Sequence, residues 1–306
     1  MANILRLSAF PGSNIYYIKG PNPVIIDCGH HDFCNWLLTT SQNFNIDITT
    51  VKQILLTHTH PDHIGAAAAL KAYTGASLKG FKPEVNKKLT DSLKKDLNLL
   101  TPPLCLDEYL EDGSIIDTGA DSIEVVYTPG HAEDHVCYFL KSKKILFTGD
   151  LITDSDIGYL NPNRHYSESL KKLENSIQIC EKLKPDILLP GHGNVIPVTA
   201  SLWRSVYRKI WLFNKNPSLI IPHTLISTLI FYLLTKKAVN PDELEEFIVS
   251  YSELFDGFIE NTSKDLIRSE YRKLIAVLIL KDIIIKSGEM ISLNKFRTST
   301  ESLWIM

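Results

Sequence analysis

The sequence predicts an α/β domain over residues 1–200, followed by a mainly helical domain over residues 201–306. Up to about residue 200, short runs rich in β-branched and aromatic residues alternate with amphipathic helical stretches. After Pro197 the pattern changes to long helical stretches with few strand signals. The length of 306 residues also exceeds the usual size of one domain. We therefore expect two domains, of which the first is large enough to hold a sizeable core.

The strand signals of the first domain end in turn residues or in polar residues that carry chemistry. Helical patterns lie between them, including one after Pro83 and one before Pro185. In the second domain, Pro241 predicts a helix start and Gly288 a helix end. The predicted strands are NIYYIKG, PVIIDCG, VKQILLTHTH, SIEVVYTPGH, HVCYFLK, KILFTGD and DILLPGHG, and the predicted helices of the first domain are IGAAAALKAYTG, NKKLTDSLKKDLNLL and HYSESLKKLENSIQICEKLK.

The composition is that of an ordinary globular chain. Hydrophobic residues make up 44% and charged residues 22%, with a mean hydropathy of -0.02, which argues against disordered, collagen-like and membrane classes. The 32 basic and 35 acidic residues leave a net charge of -3. This balance gives no electrostatic argument for a dedicated nucleic-acid binder, although a local basic patch stays possible.

Cysteine usage and hydropathy favour a cytoplasmic protein. The five cysteines are odd in number, widely spread and never form a Cys-x-x-Cys pair, so the sequence suggests neither a disulfide framework nor a thiolate zinc site. The amino terminus shows no secretory signal pattern. The most apolar stretch, residues 224–234, is far shorter than the roughly 20 residues that cross a bilayer, so we expect a buried helix there.

The segment His58-Thr59-His60-Pro61-Asp62-His63 predicts a metal site. At the extended end of a strand, side chains two residues apart point the same way, so His58 and His60 can share one ion. Pro61 then turns the chain, and Asp62 and His63 come just before a predicted helix, where they face a second position. Imidazole and carboxylate ligands suit borderline divalent metals such as zinc.

Three further residues complete this pattern. His131 in TPGH, Asp150 in TGD and His192 in PGHG each follow an apolar strand. Alone, each is an ordinary loop residue, but together with the first motif they predict ligands. A carboxylate such as Asp150 can bridge two ions and hold them roughly 3.5–4 Å apart, as a binuclear site requires.

In this order, HTHPDH, TPGH, TGD and PGHG resemble the signature of the metallo-β-lactamase superfamily. The Asp27-Cys28-Gly29 run resembles its structural Asp-x-Gly element, and the match spans residues 15–197. The resemblance implies an αββα sandwich with the metals at one edge. The helical tail and the motif contexts look most like the β-lactamase-like protein 2 group and the quinolone signal response protein.

The resemblance also implies a role for each motif residue. It assigns two divalent ions, zinc first, with manganese or iron as alternatives. Asp62 would orient the nucleophile, Asp150 would bridge the ions, and Asp27 would support the ligand loops. The implied ligands are His58, His60 and His131 for the first metal and Asp62, His63 and His192 for the second, with Asp150 shared by both.

Departures from other branches narrow the expected activity. His60 stands where the oxygen-reducing flavodiiron branch has glutamate, and Asp150 stands where true β-lactamases have cysteine. We therefore expect a binuclear metal-dependent hydrolase that attacks a small ester, thioester or phosphodiester with a metal-bridging hydroxide. Lactone opening is the nearest variant. The alternative is a regulatory effector that acts through its C-terminal domain and has a vestigial or secondary hydrolase activity.

Several residues and the second domain keep open roles. His135 could hydrogen-bond a ligand or be an ordinary satisfied histidine, and Tyr159, His165 and Tyr166 could contact substrate or simply pack. His30 and His31 are expected at the rim and not among the ligands. We expect the helical domain to cover the metal edge and shape the pocket for a small-molecule substrate, or else to be a winged-helix-like interaction module or a homodimer surface.

Overall fold

Two β-sheets packed face to face form the centre of the protein. A computed structural model describes residues 3–8, 13–30, 33–82, 104–153, 156–158, 160, 166–250, 263–294 and 303–305, and the statements below concern these residues. The predicted helix at residues 86–100 lies outside them.

The first sheet has seven strands. They are β1 (Ile4–Ser8), β2 (Asn14–Ile18), β3 (Val24–Ile26), β4 (Gln53–Leu55), β5 (Ser77–Gly80), β6 (Glu108–Tyr109) and β18 (Leu303–Trp304), in the order β18-β1-β2-β3-β4-β5-β6. Neighbours from β18 to β3 are antiparallel, and those from β3 to β6 are parallel. The parallel strands are joined by crossovers that contain α1 (Phe33–Asn43), α2 (Pro61–Ile64) and α3 (Ala67–Thr74).

The second sheet has six strands. They are β7 (Ile115–Asp117), β8 (Ser122–Tyr127), β9 (Val136–Leu140), β10 (Ile145–Gly149), β13 (Ile187–Pro190) and β14 (Ile196–Pro197), in the order β14-β13-β10-β9-β8-β7. Only β10 and β13 are parallel, and the connection between them contains α4 (Tyr166–Lys182). A two-stranded hairpin, β11 (Ile152–Thr153) with β12 (Asp156–Ile157), follows β10.

Alternating burial along the strands produces an αββα sandwich. In β10, Ile145 and Phe147 belong to the cluster between the sheets, whereas Leu146 belongs to the cluster on the outer face under α4. On the first sheet, Ile25 faces outward and packs with Leu37 of α1. Side chains of successive strand residues point to opposite faces, so each sheet buries both of its faces. The predicted α/β class and sandwich are confirmed.

The C-terminal part is mainly helical and packs beside α4 on the outer face of the second sheet. Its elements are α5 (Ala200–Lys215), α6 (Ile220–Lys236), β15 (Ala238–Val239), α7 (Pro241–Ser250), α8 (Lys264–Leu280), β16 (Ile284–Ser287) and β17 (Met290–Leu293). The three strands form an antiparallel sheet in the order β15-β17-β16. From α6 onward, the described elements follow the helix-strand-helix-helix-hairpin order of a winged helix.

The helical part shares one apolar cluster with the sandwich. Val206 of α5 and Leu225 of α6 belong to the same buried cluster as Leu173 of α4 and Leu146 of β10. α5 begins at Ala200, and β18, which lies within residues 201–306, pairs with β1 of the first sheet, so the division into two domains stays a prediction. Among the described helices, none combines the length and the apolar character that a membrane span needs.

Candidate metal centre

The seven residues expected to bind metal come together at one edge of the sandwich, where four strands end. His58 and His60 follow β4, and the short helix α2 carries Asp62 and His63. The other three come from loops that are distant in sequence: His131 follows β8, Asp150 follows β10 and His192 follows β13. Within the described residues, their ligand atoms form three overlapping groups, and the atoms of each group lie within 4.8 Å of one another. The groups are His58, His60 and His131; Asp62, His63 and His192; and His58, His63 and Asp150, which shares one residue with each of the other two.

His58, His60 and His131 form the first group. Nε2 of His131 lies 3.2 Å from Nε2 of His58 and 2.9 Å from Nδ1 of His60. Burial, with support from the neighbouring imidazoles, lowers the pKa of His58 well below its ordinary value and that of His60 to about 3. These two rings are therefore neutral at physiological pH, which is the form that binds a metal.

Asp62, His63 and His192 form the second group, and Asp150 lies between the two groups. Nε2 of His192 is 3.1 Å from Oδ2 of Asp62, and Nε2 of His63 is 3.4 Å from Oδ1 of Asp150. The other oxygen of Asp150, Oδ2, lies 3.5 Å from Nε2 of His192 and 3.7 Å from Nε2 of His131. The Asp150 carboxylate thus faces ligands of both groups, as a bridging carboxylate must.

Charges in the second group perturb one another. Burial opposes ionisation of Asp62 and Asp150, but the facing His63 and His192 outweigh it and lower the pKa of both carboxyl groups. Burial likewise lowers the pKa of the two imidazoles, but the carboxylates outweigh it, so the pKa of His63 is raised well above its ordinary value and that of His192 is raised. Without a metal, the second group therefore holds protons that a cation would displace.

The donor set fits two divalent cations. Nε2 of His63 and Oδ1 of Asp150 are buried and, among the described atoms, have no hydrogen-bond partner of good geometry. An unsatisfied buried polar atom is costly, and a cation between these atoms would satisfy both. Imidazole nitrogens in one group and mixed imidazole and carboxylate ligands in the other are typical of zinc, with manganese or iron as alternatives.

Asp27 lies behind the ligands, at the position that the resemblance implied. Its Oδ1 accepts a hydrogen bond from the Thr57 amide at 2.8 Å, and its Oδ2 accepts from Thr57 Oγ1 at 2.8 Å. The same Oδ2 lies 2.8 Å from Nδ1 of His63. Thr57 Oγ1 also lies 3.0 Å from Nδ1 of His58. One buried carboxylate therefore orients ligands of both groups.

Sequence reasoning missed three residues that hold the ligand loops. Asp134 accepts hydrogen bonds from the amide and hydroxyl of Thr59, at 3.1 and 2.5 Å, and so fixes the residue between the first two histidines. Asn14 donates to the carbonyl of Pro190 at 2.9 Å, and Tyr16 donates to the same carbonyl at 2.7 Å. Asp134 lies three residues after His131, a cue that the sequence offered, whereas Asn14 and Tyr16 look like ordinary strand residues.

The residues whose roles the sequence left undecided differ in where they lie. His135 is fully buried, and its Nε2 accepts a hydrogen bond from the amide of Asp150. Tyr159 and His165 lie outside the described residues, and Tyr166 is the first residue of α4, with a side chain that is not described. His30 is buried, which corrects its expected rim position, and it belongs to none of the ligand groups.

The helical part contacts the segment that follows Asp150. Lys209 of α5 pairs with Asp156 of β12, and its Nζ lies 3.3 Å from Nδ1 of His223 in α6. Next to β12, Gly158 lies so close to Asp150 that an added Cβ would overlap the Asp150 carbonyl oxygen at 1.6 Å. The C-terminal helices therefore support a segment packed directly against the metal centre.

Comparison with known proteins agrees with this geometry. The family model of the metallo-beta-lactamase superfamily matches residues 10–192, which is more than half of the chain. The chain belongs to the metallo-β-lactamase superfamily. The matched range contains all seven ligand candidates of this superfamily member and ends at the last of them, His192.

Two curated relatives and one solved structure illustrate the similarity. The hydroxyacylglutathione hydrolase of Francisella tularensis subsp. novicida is 32% identical over 144 residues, which cover 46% of this chain and 49% of the relative. The beta-lactamase-like protein 2 homolog of Drosophila melanogaster is 28% identical over 197 residues, 60% of each chain, and the expected resemblance to that group is confirmed. The chain spans about half the length of the first curated relatives that it matches.

The fold comparison extends further along the chain than the family model. A metallo-beta-lactamase family protein of Thermus thermophilus superposes with a TM-score of 0.56 at 18% identity. The superposition covers 95% of this chain and 98% of that protein, so it reaches well into the helical C-terminal part. At this identity, the similarity shows a shared fold.

Proposed function

We propose that this superfamily member is a binuclear metal-dependent hydrolase that acts on a small ester, thioester or phosphodiester. The observation that carries the proposal is the position of the Asp150 carboxylate, whose Oδ1 lies 3.4 Å from Nε2 of His63 and whose Oδ2 lies 3.5 Å from Nε2 of His192 and 3.7 Å from Nε2 of His131. When bound, two divalent ions lower the pKa of a water molecule and polarise a carbonyl or phosphoryl oxygen.

The chain's own residues divide the remaining work. His58 and His60 of the first group are neutral and need no deprotonation before an ion binds. Asp62 is the candidate for orienting the nucleophile, because its lowered pKa keeps the carboxyl group ionised and 15% of its side chain reaches solvent. His192 is 36% exposed, whereas His63 is fully buried. Substrate therefore approaches from the side of Asp62 and His192.

Among the candidate substrates, a thioester is the first to test. The hydroxyacylglutathione hydrolase relative acts, by its name, on an acylated glutathione, whose acyl bond is a thioester. Esters, phosphodiesters and lactones offer the same polarisable oxygen and stay in the test panel. Zinc is the first metal to test, since one donor group consists of imidazoles and the other of imidazoles and a carboxylate.

The experiment compares wild-type protein with Asp150→Asn on a panel of thioesters, lactones and bis(p-nitrophenyl) phosphate, each with zinc, manganese and iron. We expect the metal-loaded wild type to turn over one class of substrate. In the variant we expect this turnover to fall more than about 100-fold, because replacing a bridging ligand should reduce activity more than replacing a residue that only supports the ligands. The exposed Asp242→Asn on α7 is the matched control and should keep full activity. Metal-free protein as active as the loaded form would refute the proposal.

The winged-helix element order favours a second candidate function, that of a regulatory effector acting through the C-terminal part. In that case the metal centre would be secondary. The Asp150→Asn variant separates the two, because a biological effect that survives without turnover would support the effector function, whereas loss of both would support the hydrolase.

A further inference from the structure

His135 is a buried histidine that contacts the backbone of the bridging residue. The amide of Asp150 donates a hydrogen bond to Nε2 of His135 at 3.2 Å. On the other side of the ring, Nδ1 lies 2.9 Å from Oγ1 of Thr128. Because Nε2 accepts a hydrogen bond, a neutral ring carries its proton on Nδ1, which donates to the Thr128 hydroxyl. This arrangement occupies the nitrogen that a metal would need.

The hydrogen bonds continue in one direction and return to the same turn. The Thr128 hydroxyl donates to Sγ of Cys137 at 3.3 Å, and that thiol donates to the carbonyl of Thr148 at 3.8 Å. The network thus begins at the amide of Asp150 and ends at a carbonyl two residues earlier. The four side chains of this network are fully buried: Thr128, His135, Cys137 and Thr148. Water cannot reach their polar atoms, so these hydrogen bonds are what satisfies them.

The turn enclosed by this network has little room. Gly149 lies between Thr148 and Asp150 with a φ of 47°, and a Cβ there would lie 2.7 Å from Nε2 of His135 and 2.8 Å from Cβ of Thr57. The turn is therefore packed directly on the His135 ring, and the orientation of the Asp150 amide depends on Nε2 of that ring.

We propose that His135 is a positioning residue that, by accepting the amide hydrogen of Asp150, fixes the turn that places the Asp150 carboxylate between the two ligand groups. His135 binds no ion itself. The inference rests on the proposed metal binding of this site but does not depend on which substrate is hydrolysed. The competing explanation is that the ring merely fills space in the core.

Three substitutions separate these explanations. In His135→Gln the side-chain oxygen can reach the position of Nε2, in His135→Asn it reaches only that of Nδ1, and His135→Leu has no acceptor. Two readouts are used: metal affinity from competition with a chromophoric chelator, and the visible spectrum of the protein loaded with cobalt(II). Tyr271→Phe, which removes a buried hydrogen bond to the carbonyl of Pro241 in the helical part, is the control.

We expect the asparagine and leucine variants to bind one of the two ions about 10- to 100-fold more weakly and to change the cobalt spectrum. The glutamine variant should stay within a few-fold of wild type. The asparagine and glutamine variants both lose ring volume and should lose similar unfolding free energy in chelator, so stability does not explain a difference in metal affinity. If the leucine variant fails to fold, Thr128→Val removes the hydroxyl that hydrogen-bonds Nδ1 of His135 and should weaken metal binding in the same way. Thr128→Ser keeps this hydroxyl and should bind metal like the wild type.

Equal affinities in all three variants and wild type would overturn the proposal, and so would an equal loss in the glutamine and asparagine variants, which would indicate space filling. Wild-type protein that binds fewer than two ions would overturn both this proposal and the proposed function. Wild-type protein that binds two ions, shows the expected difference between glutamine and asparagine and hydrolyses nothing would refute only the proposed function.

Discussion

Nδ1 of His63 lies 2.8 Å from Oδ2 of Asp27, and both side chains are buried. The contact fixes the ring so that its other nitrogen, Nε2, lies 3.4 Å from Oδ1 of Asp150. Asp27 also accepts hydrogen bonds from the amide and the hydroxyl of Thr57. It adopts a φ of 59°, which few residues other than glycine, asparagine and aspartate tolerate. The carboxylate is thus held in a tight turn behind the metal centre.

Replacing this carboxylate by an amide should weaken the second metal site. Three donors converge on the carboxylate oxygens of Asp27. In Asp27→Asn one of these oxygens becomes an amide nitrogen, which itself donates and cannot accept a hydrogen bond from the donor that it faces. We expect about 10- to 100-fold weaker binding of one ion, measured by elemental analysis after equilibration with a chelator. Asp47→Asn is the control, because Asp47 also accepts from an amide and a hydroxyl, but at an exposed 3-10 helix cap that contains none of the ligand candidates. An unchanged zinc content in Asp27→Asn would contradict the expectation.

The sequence identified the ligand candidates because metal-binding residue types occur there in short motifs. His58, His60, Asp62 and His63 lie within six residues, and each of the other ligands follows an apolar strand that ends at the same edge. Strand ends are readable from hydrophobic patterns, so their meeting point follows once the sandwich is assumed. The αββα layers were expected from the resemblance of these motifs to the metallo-β-lactamase superfamily.

The supports of the site were not predictable in this way. Asn14 and Pro190 are 176 positions apart, and their hydrogen bond exists only because the start of β2 lies beside the end of β13. Neither residue type carries a metal-site signal. In the helical part, the sequence indicated helices but not β15, β16 and β17, since strands of two to four residues are too short to show a period.

Gly191 makes a separate prediction about space in the metal centre. An added Cβ would lie 2.4 Å from Oδ1 of Asp150 and 2.7 Å from Cε1 of His63. We expect Gly191→Ala to displace the bridging carboxylate and to reduce metal affinity at least about 10-fold, as loss of a supporting contact does. Gly75→Ala is the matched control, because Gly75 has a φ of 69° and nothing within 4 Å of the added Cβ. The control should lose about 1 kcal/mol of stability and no metal affinity.

Metal binding should release protons from the second group only. The pKa values of His63 and His192 are raised by the facing carboxylates, against the effect of burial, whereas those of His58 and His60 are lowered. Between pH 6.5 and 8 His58 and His60 are neutral, so protons should compete little with an ion at these two ligands, while the affinity of the second group should fall as pH falls. Calorimetric titration in two buffers of different ionisation enthalpy counts the released protons. Release of no proton with either ion would contradict this expectation.

His223 predicts a pH dependence outside the metal centre. Burial and the charge of Lys209 lower the pKa of His223 to about 4. The folded state therefore binds fewer protons than the unfolded state between about pH 6.5 and 4, and stability contributed by the neutral ring is lost as pH falls through that window. Relative to His223→Gln, wild-type protein should lose at most about 3 kcal/mol of unfolding free energy between pH 7.5 and 4, measured by urea denaturation. At pH 7.5 the ring is neutral in both states, so the difference between the proteins there reports packing alone. A difference that stays constant down to pH 4 would mean that His223 titrates normally in the folded protein.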